Sequence, residues 1–243
     1  MTHTDSELAV IYDQRFKGRQ NYRNRVWRIL IDDFIHTYIP PDAAVLDIGC
    51  GYGEFINNVR CRVKFGMDMN PDTAKLLSAD VQFLQQDCST TWNLPEASLD
   101  VVFTSNFFEH LPSKPALAST LKQAFYSLRP GGYLIAMGPN IKYLPGAYWD
   151  FWDHYLPLTE TSLKEGLSLH GFAMIRCVDR FLPYTMARGV QYPISFLRLY
   201  LKIPLAWRFW GKQFFLVAQK PKASSDSTNN DRAQTMHRPQ ATP

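Results

Sequence analysis

The sequence predicts an α/β fold, a parallel sheet with helices on both faces, and three observations carry that prediction. Short apolar runs of strand length recur at 45–48, 63–67, 81–84, 99–104 and 133–137, with longer amphipathic or Pro/Gly-marked segments between them. Parallel strands joined by right-handed crossovers have this rhythm. The run Val101-Val102-Phe103 is apolar on both sides of the pleat, as a strand covered by helices on both faces should be. The first run also closes on Asp47-Ile48-Gly49-Cys50-Gly51-Tyr52-Gly53. Glycine tolerates positive φ and lets backbone approach a ligand closely, so strand, glycine turn and helix suggest a nucleotide-type cofactor site at the carboxyl edge of the sheet.

Residues 1–11 read as a loose end. Val26, Trp27, Leu30, Ile31, Phe34 and Ile35 then recur at three- and four-residue spacing, which predicts a helix over 22–38 stopped by Pro40-Pro41. It is either a cap whose arginines face solvent, or a lid in which Tyr12 and one of Arg15, Arg19 or Arg25 close over an anionic part of a ligand. Strand two ends in Asp68-Met69-Asn70-Pro71, and strand three near Gln86-Asp87-Cys88. Helices are expected at 54–60, 71–79 and 114–128. The turn Arg129-Pro130-Gly131-Gly132 leads into strand five. Thr159-Glu160-Thr161-Ser162 opens a helix that ends at Gly171, followed by strands at 172–178 and 214–218. Residues 221–243 have almost no apolar content and read as a disordered tail, which leaves one domain over 1–220.

With 243 residues and a hydrophobic fraction of 46%, the chain can bury one sizeable core. A net charge of +4 without a basic block gives no reason to expect a nucleic-acid partner. Cys50, Cys61, Cys88 and Cys177 form no CxxC, which fits a reducing compartment and offers no metal motif. The first ten residues lack an apolar signal core, so a cytoplasmic protein is expected.

The glycine spacing departs from the GxGxxG of a dinucleotide site, which argues against a nicotinamide reductase. Asp47 stands directly before the turn, to orient the loop or to meet a cationic group through ordered water. Asp68 lies 19 residues after Gly49, where a carboxylate can accept both ribose hydroxyls. Asp87 and Cys88 are placed to reach a base edge.

These stretches, together with Ser105-Asn106-Phe107-Phe108-Glu109-His110-Leu111 and Leu128–Ala136, resemble the class I S-adenosylmethionine-dependent methyltransferases, in the broad small-molecule group that includes ubiquinone and menaquinone methyltransferases. The resemblance covers about residues 43–138. It implies a Rossmann-like seven-stranded sheet in the order 3-2-1-4-5-7-6 with the last strand antiparallel, and S-adenosyl-L-methionine as the cofactor, released as S-adenosyl-L-homocysteine. By the resemblance, Gly49, Cys50 and Gly51 hold the methionine portion, with Cys50 a wall residue. Asp68, with Met69 beside it, takes the ribose, and Asp87 and Cys88 the adenine. Asn106 and Phe107 line the methionine side, and Tyr12 and Arg25 belong to a helix closing over the cofactor.

In that fold strand six opens on the cofactor face, so the connection from it to strand seven hangs over the site. Here that connection, 183–212, is long, aromatic and basic, and Pro193 and Pro204 divide it into two helical pieces. Three readings stand for it: local core, a lid for a large apolar acceptor, or a surface for peripheral membrane contact or a homodimer. The other acceptor element is the aromatic, proline-rich stretch 138–158. Within it His154 is the first candidate for general base, with Asp150 or Asp153 orienting it or acting directly; the alternative role for His154 is to dock the loop onto the helix at 159. His110, next to Glu109, is a further catalytic candidate. Tyr143, Tyr148, Trp149, Trp152 and Tyr184 are candidates for the acceptor wall. The Asn/Asp-Pro-Pro-aromatic signature of DNA amine methylation is absent. The function expected is O-methylation of a small-molecule, sugar or lipid-linked acceptor, with C- or N-methylation, or cofactor binding without catalysis, as alternatives.

Overall fold

The computed structural model describes residues 20–184 and 191–222. Its strands are β1 Ala44–Ile48, β2 Val63–Asp68, β3 Val81–Gln85, β4 Leu99–Ser105, β5 Leu128–Pro139, β6 Ala173–Val178 and β7 Gln213–Gln219. They form one seven-stranded sheet in the order β3-β2-β1-β4-β5-β7-β6, the order the resemblance implied. β1 to β5 pair in parallel. β7 runs antiparallel to both β5 and β6, so β6 points the same way as the first five.

Alternation along each strand sorts the core into two layers. Val45, Val101, Phe103, Ile135, Met137, Phe215 and Val217 pack with Trp27, Leu30 and Ile31 of α1, Gln20–Asp33. Leu46, Ile48, Val102, Leu134, Ala136, Phe214, Leu216 and Ala218 pack with Leu117 and Leu121 of α2, Lys114–Ser127, and with Leu163 and Leu167 of α3, Glu160–Leu169. Phe103 is held between a stacked Phe55 at 3.7 Å and the edge of Trp27 at 5.9 Å. Full burial of such a side chain stabilises by roughly 1.5–3 kcal/mol, and this contact ties the segment after β1 to α1.

Two expected helices are absent. Over 54–60 the chain makes turns, and over 71–79 only the 3-10 helix Pro71–Leu76 forms. Asparagine side chains explain both, because their amides offer the backbone partners outside a helix. Asn58 donates to the Glu54 carbonyl, and Asn57 both donates to the Leu76 carbonyl and accepts from Ser78 N–H. The two segments are thereby clamped to each other. The connection between β6 and β7 contains α4, Ile194–Leu201, and α5, Pro204–Trp210, separated at Pro204 as expected. Tyr12, Arg15 and Arg19, residues 185–190 and the tail beyond 222 lie outside the described residues.

Candidate active site

Gly49, Gly51 and Gly53 all have positive φ, at +67°, +47° and +71°. Gly49 and Cys50 donate to the Met67 carbonyl at 2.9 and 3.1 Å, which pins the turn to the end of β2. A Cβ at Gly49 would overlap the Phe107 ring, whereas none would meet an atom within 4 Å at Gly51. The turn is therefore closed by Phe107 on one side and open at Gly51. Asp68 accepts from Gly51 N–H and Asn70 N–H, both at 2.9 Å, one on each oxygen. Backbone thus fixes the carboxylate and leaves each oxygen a second lone pair. Burial lifts Asp68 above its ordinary value, against the pull of the Asn70, Gly51 and Met69 amides.

Asp47 is buried and held well above the usual carboxylate range, by burial first and then by the charges of Asp68 and Glu54. Glu54 is paired with Arg23 by a two-pronged bridge, Nε to Oε1 at 2.7 Å and Nη2 to Oε2 at 2.8 Å. The Arg23 guanidinium also lies 5.6 Å from the centre of the Tyr52 ring. Arg25, the arginine expected here, is exposed on the outer side of α1. Helix period gives the reason: Arg23 precedes Trp27 by four residues and Leu30 by seven, so it lies on the buried stripe, and that spacing could have identified it.

At the end of β3, Asp87 accepts from both the N–H and the hydroxyl of Ser89 at 2.8 Å. Cys88 departs from expectation, since its thiol is buried against Thr120 at 3.4 Å, away from any base edge. Burial pushes the Cys88 thiol up to about 12, and Cys50 is also buried and raised. Neither sits as a thiolate. Met69 is half exposed beside Asp68. At the end of β4, Asn106 has φ +49° and donates its N–H to the Met137 carbonyl at 2.8 Å. A non-glycine residue there is uncommon, and it aims Phe107 at the glycine turn.

The 138–158 loop closes over the end of β4. Tyr155 and Leu156 donate to the Glu109 carbonyl at 2.9 and 3.0 Å. Asn140 donates to Glu160 at 2.6 Å and to the Asp179 carbonyl at 2.9 Å, and Lys142 pairs with Glu160. Beneath the loop, ligating atoms of Glu109, His110 and His154 all lie within 4.8 Å of one another, donor types that also suit a divalent cation. His110 Nδ1 is 2.8 Å from the Asp153 carbonyl and 3.2 Å from its carboxylate. Burial pulls His110 down, but the hydrogen bond to Asp153 and the charges of Glu109 and Asp153 outweigh it and leave His110 above its ordinary value. Burial raises Glu109 to about 7.

Asp153 therefore orients a histidine, though His110 rather than His154. His154 is buried among Tyr148, Phe151 and the His110 ring, with centroids 4.7, 4.8 and 5.0 Å away. Asp150 is exposed. Tyr148 is fully buried and donates to the Leu156 carbonyl at 2.5 Å, so it is core of the loop and not acceptor wall. Trp149 and Trp152 are 53% and 71% exposed, pointing outward. Tyr143 donates to Asp179 at 2.5 Å beneath the Arg180 guanidinium, and Tyr184 meets Phe151 edge-on at 6.0 Å.

A family model described as a methyltransferase domain matches residues 19–176, more than half of the chain. Phosphoethanolamine N-methyltransferase 1 of Arabidopsis thaliana is 33% identical over 40% of this chain and 21% of its own. The 2-methyl-6-phytyl-1,4-hydroquinone methyltransferase of Synechocystis is 27% identical over 58% of this chain and 49% of its own. The chain thus spans half or less of the length of these curated relatives. Among solved structures, a SAM-dependent methyltransferase of Archaeoglobus fulgidus aligns with TM-score 0.62 at 20% identity, over 87% of this chain and 99% of that one.

Proposed function

The chain belongs to the methyltransferase domain family, as a class I S-adenosylmethionine-dependent methyltransferase, and on that premise we propose that it methylates a hydroxyl of a small-molecule or lipid-linked acceptor, with His110 as the proton-accepting residue. The residues of the crevice fit the cofactor: Asp68 has a lone pair on each oxygen beyond its backbone bonds, and the space over Gly51 is the kind a side chain would fill. In this reading Asp68 holds the ribose, the glycine turn the methionine portion, and Asn106 with Phe107 the wall between cofactor and acceptor. The cofactor supplies an electrophilic methyl group on a sulfonium. Methyl transfer is in-line, so the chain's main task is to place the acceptor oxygen.

The observation that carries the reading is the grip of Asp153 on His110 Nδ1. It sets the ring orientation from behind, as a proton-accepting imidazole requires. His110 keeps 18% of its side chain exposed and sits at the end of β4 beside Asn106 and Phe107. His154, more deeply buried, packs over it in a supporting role. The Synechocystis relative's name specifies a hydroquinone with a phytyl tail, a hydroxylated ring on an apolar chain. That supports a hydroxylated, lipid-like acceptor, without choosing between its oxygen and its ring carbon. The Arabidopsis relative's name specifies N-methylation, which keeps an amine acceptor as the second reading.

One experiment separates the two. The protein is incubated with methyl-labelled S-adenosylmethionine and fractionated lysate, and the labelled product isolated. A hydroxyl acceptor predicts that His110→Ala lowers turnover by about 10²–10⁴ with cofactor affinity unchanged. Wild-type rate should rise with pH through a value above the ordinary imidazole range. An amine acceptor predicts little loss. If calorimetry detects no S-adenosylmethionine binding, or Asp68→Ala leaves binding intact, the assignment of the crevice is wrong.

A further inference from the structure

The connection between β6 and β7 divides into an inner and an outer side. Inward, Leu201 and Trp207 are buried. Trp207 Nε1 donates to the Tyr200 carbonyl at 2.8 Å, and the Tyr200 hydroxyl to the Phe181 carbonyl at 2.6 Å. Trp207 also meets Phe34 and Phe181 edge-on at 5.6 and 5.1 Å. This half packs into the core beneath it. Outward, Phe196, Leu199 and Ile203 on α4 and just beyond it, and Leu205, Phe209 and Trp210 on α5, are between 43% and 72% exposed. Large apolar side chains grouped in this way mark an interaction surface.

Charge identifies the occupant. From 180 to 222 the sequence has no Asp or Glu. Arg198, Lys202, Arg208 and Lys212 are exposed among the outward aromatics, and among the described residues the acid that Arg198 meets is on α1, Asp33 at 3.7 Å. A second copy seated on this face would set like charges against like. An anionic lipid surface offers both acyl chains for Phe209 and Trp210 and phosphates for the basic residues. No helix among the described residues is long and apolar enough to cross a membrane, and α4 and α5 have eight and seven residues.

We propose that α4 and α5 dock the protein in the headgroup plane of an anionic lipid bilayer. The surface is read from the connection alone, so it stands apart from the transfer reaction. β6 ends on the edge of the sheet that carries the glycine turn, and Arg180 and Tyr184 contact the 138–158 loop at Tyr143 and Phe151. An acceptor drawn from such a surface would arrive beside that loop.

The test is co-sedimentation of the full chain with phosphatidylcholine vesicles and with the same vesicles carrying phosphatidylglycerol. Binding is expected only to the anionic vesicles, and it should fall as salt rises. Arg208→Gln with Lys212→Gln should weaken it about thirty-fold, and Phe209→Ser with Trp210→Ser should abolish it. All four positions are exposed, and unchanged calorimetric S-adenosylmethionine binding would show that the variants fold. No binding to either vesicle, equal binding to both, or variants that bind as wild type would each overturn the proposal. So would a concentration-dependent dimer that buries Trp210 and binds no lipid. Labelled methyl transfer that persists without vesicle binding would sink the docking surface and leave the transfer reading standing.

Discussion

Replacing Glu109 by Gln should make the protein more stable at neutral pH, and the gain should itself depend on pH. The Glu109 side chain is 3% exposed at the end of β4, and burial moves its carboxyl from an ordinary 4.5 to about 7. Between those values the native state keeps a proton that the unfolded chain has released. Native binding of that proton stabilises the fold fully below about 4.5, and the stabilisation is lost as pH rises through about 7. At about 1.4 kcal/mol for each pH unit separating the two values, the loss is roughly 3 kcal/mol, a large part of the 5–15 kcal/mol that holds a typical domain together. Glutamine has the shape of the protonated acid and cannot ionise. The main-chain bonds from Tyr155 and Leu156 to the carbonyl of residue 109 remain. Urea unfolding of both chains from pH 4.5 to 8 is the assay. The difference in unfolding free energy should grow in favour of Glu109→Gln by roughly 3 kcal/mol across that range. His110 is kept in both chains, so only the part of its shift that comes from Glu109 enters the difference. Parallel stability curves would refute the reasoning, because they would mean that Glu109 ionises as freely in the fold as outside it.

Four further substitutions test the frame of the site. Gly51→Ala has open space and only a positive φ to strain it, so urea unfolding should show a loss of about 1–2 kcal/mol. Gly49→Ala adds an overlap with Phe107 and should lose clearly more, with part recovered in the double variant Gly49→Ala, Phe107→Ala. Arg23→Ala strands the buried Glu54 carboxylate and should cost about 3–5 kcal/mol, which Glu54→Gln on the same chain should partly restore. Tyr148→Phe removes the bond to the Leu156 carbonyl and should lower the thermal midpoint by an amount equivalent to about 1–3 kcal/mol, while label transfer to the acceptor is retained.

The sheet could be read in advance because its signal is local. Each strand's alternation fills both layers at once, and a one-residue slip would turn Phe103 and Phe215 out of one core and Val102 and Leu216 out of the other. Asp68 was legible for a related reason: it ends a strand, and strand ends in a parallel sheet converge on one crevice. The failures at 54–60 and 71–79 have the opposite character. Local propensity favoured helix in both, and Asn57, which donates to one segment and accepts from the other, decided against it. Cys88 followed the same logic, since Thr120 of α2 supplied a partner that its neighbours in sequence do not announce.

His110 and His154 show where such reading stops. Asp153 stands next to His154 in sequence, and adjacency made them the natural pair. In the fold the loop is held to the 3-10 turn after β4 by the Glu109 carbonyl, and this brings Asp153 over His110, 43 residues earlier in the chain. Neighbouring side chains on an irregular loop need not face each other, whereas a residue clamped by main-chain bonds to a strand end has a defined position. The side of this crevice that the proposal gives to the acceptor has contacts of that second kind, between 138–158, the turn after β4 and the chain leaving β6. A proton-accepting group there must be steady to within the length of a hydrogen bond. Under the proposed transfer to a hydroxyl that requirement favours His110, which the 3-10 turn after β4 positions, with the loop's Asp153 holding it.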